Sequence, residues 1–187
     1  MIKRIFFDTE TTGLNDDDEI VELAITEESG NTLYSQRFKP TQKMSSGASR
    51  VTGITDDMLV DMPTFVSEID KIKSVFDQGD QIIAYNTEFD VRLLCQTCEK
   101  YDLSTEWIYH MSTRCAMLMY SNYMYDWYDP EIKSRRYKLT DACERMQIKV
   151  QNAHSAVGDC IMTANLVRAM ETSSDSSQTN ENEERKD

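Results

Sequence analysis

Long apolar runs are missing from this sequence. The N-terminus holds only the short apolar stretch at residues 5–7 before Asp8, and no later run approaches the ~20 residues that a membrane-spanning helix needs. Neither a secretory leader nor a membrane anchor is therefore expected. We expect a soluble, cytoplasmic protein that has no membrane partner.

Basic residues are also scarce. Lysine and arginine number 20 against 33 aspartates and glutamates, which gives a net charge of −13. This balance excludes a protein that coats nucleic acid through bulk electrostatics, because that mode needs a basic surface. Part of the excess is local, since residues 171–187 hold six acids and two bases. Residues 16–19 are four consecutive acids, a pattern typical of a solvated turn.

A disulfide framework and several common catalytic motifs are absent. The five cysteines are an odd number spread along the chain and do not resemble a disulfide framework, which fits a reducing compartment such as the cytosol. Cys95 and Cys98 have the spacing of half a zinc site, but no second pair follows, and the helical pattern around them favours buried thiols. The chain has no glycine-rich phosphate loop, no Gly-x-Ser-x-Gly and no His-Glu-x-x-His.

The first 38 residues predict three antiparallel strands. Residues 2–8 and 20–25 are apolar runs typical of strands, and residues 28–31 have the composition of a hairpin turn into a third strand at 32–38. A loop is expected at residues 39–55. The chain therefore begins as an antiparallel sheet.

The later pattern alternates between helix and strand. Pro63 can occupy the first turn of a helix whose apolar residues recur at helical spacing, namely Phe65, Ile69, Ile72 and Phe76. A buried strand follows at residues 81–85, and Thr87 can cap the next helix. Further helices are predicted at residues 113–123, 139–146 and 156–170, after a possible fifth strand at 107–111.

This order predicts an α/β fold, a mixed five-stranded sheet flanked by helices. The length of 187 residues and the hydrophobic fraction of 40% fit a single domain. We place that domain at residues 1–170. Residues 171–187 are expected to form a disordered acidic tail, because from residue 172 onward they offer no apolar side chains to offset the entropy of ordering.

Asp8 and Glu10 are the first candidates for chemistry. Alternate side chains of a strand share a face, so the two carboxylates converge if the strand continues through Thr9. Two acids side by side repel each other, and a divalent cation with oxygen ligands removes that repulsion. Taken alone, the pair is also compatible with a polar strand end whose acids face water.

Three more residues strengthen the case for a site. Asp90 follows a predicted strand and lies in the first turn of the next helix, close to where a neighbouring strand would place Asp8. His154 and Asp159 are five residues apart, which on an ideal helix is ~140° of rotation, so both cannot share a face within one helix. We therefore place His154 on the preceding loop. A lone histidine in such a position is also compatible with an ordinary surface residue.

Three stretches, in this order, resemble the motifs of the DEDDh family of 3′-to-5′ exonucleases: FDTETTGL at residues 7–14, YNTEFDVRLL at 85–94 and HSAVGDCIMTANL at 154–166. The family includes polymerase proofreading subunits, oligoribonuclease, RNase T and exonuclease X. Residues 112–118 resemble an element of exonuclease X in particular. The resemblance covers about residues 1–170 and implies an RNase H-like sheet.

The resemblance implies a role for each residue at a motif position. Asp8, Glu10, Asp90 and Asp159 match the four acids that bind two Mg²⁺ or Mn²⁺ ions, Asp90 mainly through water, and His154 matches the general base. Such an enzyme hydrolyses phosphodiester bonds and releases nucleoside 5′-monophosphates. The implied substrate contacts are Thr9, Thr11, Gly13, Leu14, Asn86 and Phe89.

The resemblance implies the 3′ end of single-stranded DNA as the substrate, with replication or repair proteins as further partners. Three alternatives stay open from the sequence: an RNA-trimming exoribonuclease, a polymerase proofreading subunit, and a binding module without turnover. The basic residues Lys133, Arg135, Arg136 and Lys138 could contact phosphates, although a solvated loop is the default interpretation.

Overall fold

A five-stranded mixed sheet forms the centre of the molecule. The computed structural model describes residues 2–127 and 136–183. Its strands are β1 (Arg4–Thr11), β2 (Ile20–Glu27), β3 (Thr32–Arg37), β4 (Gln81–Ala84) and β5 (Thr113–Cys115). They lie in the order β3-β2-β1-β4-β5. The pairs β1–β2 and β2–β3 are antiparallel, whereas β1–β4 and β4–β5 are parallel, so the predicted mixed sheet is confirmed.

Strand β1 lies in the middle of the sheet, and both of its faces carry apolar side chains. Ile5 and Phe7 belong to the core on one side of the sheet, and Phe6 belongs to the core on the other. All three side chains are at most 1% exposed. A strand buried on both faces has a continuous apolar run rather than an alternating one, which explains the sequence before Asp8.

Helices cover both faces of the sheet. In the described part of the chain they are α1 (Ser46–Thr52), α2 (Asp56–Leu59), α3 (Phe65–Phe76), α4 (Thr87–Lys100), α5 (Glu106–Tyr109), α6 (Ala116–Trp127), α7 (Leu139–Arg145) and α8 (Ala156–Glu183). Helices α3 to α5 contribute to the core that contains Phe7, and α6 to α8 contribute to the core that contains Phe6. No helix among these residues is both long and apolar enough to cross a bilayer.

The predicted strand at residues 107–111 is wrong. Those residues fall largely in the short helix α5, where Trp107 packs on Phe76 with ring centroids 5.6 Å apart. The fifth strand is β5, at the start of the helix that was predicted at 113–123. Two of its three residues, Thr113 and Arg114, are exposed, so the strand has no apolar pattern to reveal it.

Several other boundaries differ from the prediction in ways that local contacts explain. Helix α3 begins after Pro63, because the Thr64 hydroxyl accepts a hydrogen bond from the Ser67 N–H at 3.3 Å and caps the helix. Asn86 is the residue before α4, and Thr87 is the first residue within it. The predicted loop at 39–55 contains α1, which buries none of its residues and therefore lacks an apolar stripe.

The acidic run at residues 16–19 is only half solvated. Asp16 and Asp17 are exposed, but Asp18 and Glu19 are 5% and 1% exposed. Asp18 accepts a hydrogen bond from the Thr12 hydroxyl at 2.7 Å, so it folds the chain back on the end of β1. The prediction of a solvated turn is therefore wrong for Asp18 and Glu19, because polar partners from distant segments compensate their burial.

Helix α8 continues into the segment for which disorder was expected. Its backbone is helical as far as Glu183. The last buried apolar residue of the helix is Met170. Just beyond it, Glu171 forms an ion pair with Arg4 of β1. The Thr172 hydroxyl donates a hydrogen bond to the Arg168 carbonyl at 3.0 Å. Polar contacts are thus present at residues 171 and 172, where the apolar face of the helix has ended. The division of the chain at residue 170 stays a prediction.

Candidate active site

Three carboxylates from two elements converge at one end of the sheet. Strand β1 extends to Thr11, so Asp8 and Glu10 are on the same face, as the alternation of side chains predicted. Asp159, in the first turn of α8, meets them there. One oxygen from each of the three carboxylates lies within 4.8 Å of the other two. All three side chains are partly buried.

Asp90 is buried beside this cluster. It lies in the first turn of α4 and is 3% exposed. Its Oδ1 accepts two hydrogen bonds from Thr9, one from the N–H at 3.1 Å and one from the hydroxyl at 2.8 Å. Thr9 thus directs both of its donors into the protein, and Asp90 keeps its second oxygen for other partners.

His154 lies on the loop that precedes α8, as predicted from the spacing. Its φ of 65° is in the left-handed region, as is that of Asn152 at 51°. The His154 N–H donates to Asp159 Oδ1 at 3.3 Å. Gly158 permits this tight loop, because a Cβ at that position would lie 2.2 Å from the Asn152 carbonyl oxygen.

All five predicted catalytic residues line one cavity of about 170 Å³, formed with Thr9, Tyr85, Asn86, Phe89 and Leu139. The structure therefore brings together side chains that lie as far apart in the sequence as Asp8 and Asp159. The surrounding residues come from β1, α4, α7 and the loops beside them.

The site is strongly acidic, and burial resists its ionisation. Burial raises the pKa of Asp8 well above its usual range, and the nearby charges of Asp90 and Asp159 raise it further. Burial likewise raises the pKa of Glu10 to about 8. It raises that of Asp90 to about 7, although the hydrogen bonds from Thr9 act in the opposite direction. Burial raises the pKa of Asp159 too, with His154 lowering it in part.

These residues fit a divalent cation. Carboxylate oxygens are hard ligands, and Asp8, Glu10 and Asp159 present one each within reach of a common centre. A cation bound there would neutralise the mutual repulsion that, after burial, raises the pKa of Asp8 and Glu10. The donor set contains no thiol or imidazole, so it matches metals that prefer oxygen.

A larger and more apolar cleft of about 500 Å³ adjoins the acidic cavity. Glu10, Thr9 and Phe89 border both spaces. Leu14, which is 75% exposed, stands at its edge. The opposite wall comes from α1 and the residue before it, including Ser45, Ala48, Val51 and Thr52.

The predicted substrate contacts are placed as follows. Thr11, Gly13 and Leu14 line the large cleft, Asn86 lines the acidic cavity, and Thr9 and Phe89 line both. The Thr11 hydroxyl donates to the Gly13 carbonyl at 2.6 Å, which shapes the turn after β1. Arg136 forms an ion pair with Glu88 at 3.7 Å, whereas Lys133 and Arg135 lie outside the described residues.

Two groups of residues around the site are not among the predicted site residues. The wall formed by α1 has no apolar periodicity, and only exposed Val51 hints at its role. Glu22 was also missed, although a charged residue inside the apolar run of β2 is a readable signal. It lies directly opposite Glu10 in the antiparallel pair of β1 and β2.

Two kinds of comparison place the chain among known proteins. The family model described as Exonuclease matches residues 5–167. The uncharacterized exonuclease CP81 of Escherichia phage 186 is 35% identical over 179 residues, which cover 89% of this chain and 87% of CP81.

Solved structures share the fold. Exonuclease I of E. coli in complex with a dT13 oligonucleotide superimposes with a TM-score of 0.73 at 19% identity, over 92% of this chain but 41% of that one. Exonuclease X in complex with 5′ overhanging duplex DNA gives a TM-score of 0.64 at 24% identity, over 91% of this chain and 93% of that one. The chain thus has the RNase H-like sheet of these enzymes, and it belongs to the exonuclease family.

Proposed function

We propose that this exonuclease removes nucleotides one at a time from the 3′ end of single-stranded DNA and releases nucleoside 5′-monophosphates. The observation that carries the proposal is the convergence of Asp8, Glu10 and Asp159 within 4.8 Å beside a cleft wide enough for a terminal nucleotide. The acids supply a reaction centre, and the cleft supplies a place for the end of the strand.

The metal site is assigned to the acidic cavity. Asp8, Glu10 and Asp159 would hold one divalent cation, Mg²⁺ or Mn²⁺, and Asp8 with Asp90 would hold a second, Asp90 through water. When bound, such a pair makes water nucleophilic and stabilises the departing 3′ oxygen. Thr9 fixes one oxygen of Asp90 and so leaves the other free to face the cavity.

His154 acts as the general base in this proposal. An imidazole can accept a proton near neutral pH, which suits the deprotonation of an attacking water. His154 lines the cavity, and its backbone N–H donates a hydrogen bond to Asp159 Oδ1 at 3.3 Å. The base is thereby held beside one of the carboxylates that would hold the metal.

The large cleft receives the terminal nucleotide. Phe89 lies between the acidic cavity and the cleft, where its ring can stack on a base, and exposed Leu14 can wedge against the next one. Stacking of this kind contributes about 1 to 3 kcal/mol per base and tolerates any sequence. It also lets a protein of net charge −13 bind a polyanion without a basic surface.

DNA is favoured over RNA by the solved relatives, since exonuclease I holds a dT13 oligonucleotide and exonuclease X holds 5′ overhanging duplex DNA. The second of these has a recessed 3′ end, which fits attack from that end. RNA is the alternative substrate.

The test is a degradation assay with matched single-stranded DNA and RNA oligonucleotides, labelled at either end, in Mn²⁺. We expect 5′-labelled DNA to shorten stepwise and 3′-labelled DNA to release a labelled mononucleotide at once. Asp8→Ala removes the activity, whereas the control Asp70→Ala, at an exposed acid of α3, retains it. Faster loss of RNA would overturn the substrate, and an active Asp8→Ala would overturn the site.

A further inference from the structure

Glu22 is a buried acid that the proposed chemistry does not use. It lies on β2 opposite Glu10 and is 9% exposed. A carboxylate so close to a cluster of four others costs free energy unless specific partners compensate it. Its partners therefore indicate what it does.

Both oxygens of Glu22 are occupied. Oε1 accepts a hydrogen bond from Arg37 Nε at 2.8 Å, and Oε2 accepts one from the N–H of Ala156 at 3.1 Å. Ala156 is the first residue of α8, where the helix has unpaired N–H groups and a positive dipole end. Glu22 thus connects the second strand of the sheet to the beginning of the last helix.

The beginning of α8 carries the site residues that do not come from β1 or α4. His154 lies two residues before Ala156, and Asp159 three residues after it. A second contact supports the same docking, since Cys160 Sγ lies 3.5 Å from the Ala24 carbonyl, two residues along β2 from Glu22. Strand β2 therefore sets where the first turn of α8 lies relative to β1.

Arg37 compensates the charge of Glu22 from the neighbouring strand β3. Its side chain is 38% exposed, so the guanidinium remains partly hydrated while it pairs with the buried carboxylate. Arg37 thus supplies Glu22 with a counter-charge that does not come from the metal site. The arrangement separates two tasks: Arg37 compensates charge, and the hydrogen bond to Ala156 fixes position.

We propose that Glu22 is a positioning residue, which holds the first turn of α8 against the sheet so that the Asp159 carboxylate meets Asp8 and Glu10 at the metal site. This proposal rests on the proposed function for its metal. It makes no claim that Glu22 touches metal or substrate.

Three substitutions of Glu22 distinguish the effect of side-chain length from the effect of charge. Glu22→Gln removes the charge but keeps a side-chain oxygen at full length, able to accept from Ala156. Glu22→Asp keeps the charge but shortens the side chain, and Glu22→Ala removes both. Glu68→Ala is the matched control, because Glu68 of α3 pairs with Lys71 and Tyr34 and lines neither the acidic cavity nor the cleft.

The readouts are Mn²⁺ affinity by calorimetry, kcat and KM on single-stranded DNA, and Tm in EDTA. In Glu22→Asp and Glu22→Ala we expect Mn²⁺ affinity and kcat to fall about 10- to 100-fold, as for other residues that orient metal ligands. We expect Glu22→Gln to stay within about threefold of wild type in both, and KM to change less than about twofold throughout. Glu68→Ala should match wild type in Mn²⁺ affinity, kcat and KM.

Two results would overturn the proposal. One is unchanged Mn²⁺ affinity in Glu22→Asp and Glu22→Ala, and the other is equal loss in Glu22→Gln and Glu22→Asp. If Glu22→Ala does not fold, the comparison of Glu22→Gln with Glu22→Asp still tests whether side-chain length or charge is what matters. A wild-type protein that degrades neither DNA nor RNA would reject the proposed function instead, and the Mn²⁺ titration would still test Glu22.

Discussion

At the scale of single residues, Thr9 shows how the acids are kept in place. Its N–H and hydroxyl both donate to one oxygen of Asp90, across 81 positions of sequence. The hydrogen bonds stabilise the carboxylate form and oppose the effect of burial on its pKa. Thr9, which is also a predicted substrate contact, therefore stabilises the buried carboxylate of Asp90.

Replacing Thr9 by valine tests this interaction. Thr9→Val keeps the N–H but removes the hydroxyl donor, so the pKa of Asp90 should rise above about 7. We expect kcat at neutral pH to fall about tenfold and the rise of activity with pH to move to higher pH. Thr9→Ser retains the donor and should restore the wild-type profile. A valine variant with an unchanged pH profile would contradict this role.

His154 allows a second test at the residue scale. Since the converging oxygens come from Asp8, Glu10 and Asp159, metal binding does not need the imidazole. We expect His154→Gln to lower kcat about 10²- to 10⁴-fold, the usual contribution of a general base. Its Mn²⁺ affinity, measured by calorimetry, should stay within about twofold of wild type. Equal loss of both would mean that His154 is a ligand rather than a base.

At the scale of elements, the connection between β1 and β2 is a built structure rather than a solvated turn. Glu19 accepts hydrogen bonds from the Thr41 N–H at 2.8 Å and from Lys100 at 3.1 Å, and also from the Tyr101 hydroxyl. Burial acts to raise the pKa of Glu19, but these hydrogen bonds outweigh it and lower the pKa. The connection is thereby tied to α4, beside the turn that carries Leu14.

Glu19→Gln tests the stability of this connection. A lowered pKa means that the charged form contributes stability above the unfolded value of about 4.3, and that this contribution is lost as pH falls through the folded value. We expect the variant to lose about 2 kcal/mol of unfolding free energy at pH 7. The difference from wild type should shrink below about pH 4 in urea titrations. Asp16→Asn, at an exposed neighbour, should show no such loss.

The sequence predicts some elements much better than others, for physical reasons. Strand β1 and helix α3 have clear apolar patterns because each buries a continuous face. Strand β5 is three residues long and α1 buries nothing, so neither has a pattern to detect. The burial of Glu19 depends on Thr41 and Lys100, which no local rule connects to it.

The same limit applies to the site. Asp8 and Glu10 follow from strand alternation, and the spacing of His154 and Asp159 correctly separates loop from helix. Their convergence on one cavity depends on the order of strands, which local periodicity does not contain. The resemblance to known exonucleases supplied that missing information at the level of the sequence.

At the scale of the whole molecule, the acidic site opposes folding when no metal is bound. A carboxyl whose folded pKa is raised stabilises the folded state below its unfolded pKa, and this stability is lost as pH rises through the folded value. For Asp90 and Glu10 those values are about 7 and about 8. The metal-free protein should therefore become less stable between pH 5 and pH 8.

Thermal melts in EDTA and in Mn²⁺ would measure this effect. We expect Tm in EDTA to fall from pH 5 to pH 8, and the increase in Tm on adding Mn²⁺ to be larger at pH 8, because the metal binds the charged carboxylates. Glu10→Gln should flatten the fall in EDTA. An Mn²⁺ effect that is the same at both pH values would show that the acids are already ionised without metal.

The central position of β1 also divides the site by the rate at which its backbone amides exchange with solvent. Asp8 and Glu10 belong to a strand that pairs with β2 along residues 5–11 and with β4 at residues 4–6, whereas His154 lies on a short loop with left-handed backbone. Amides in such a strand open only with large parts of the protein, while loop amides open locally. Asp8 and Glu10 are thus placed in a slowly exchanging strand and His154 in a more readily opened loop, so we expect changes in the loop to lower turnover while the backbone that carries these two acids stays in place.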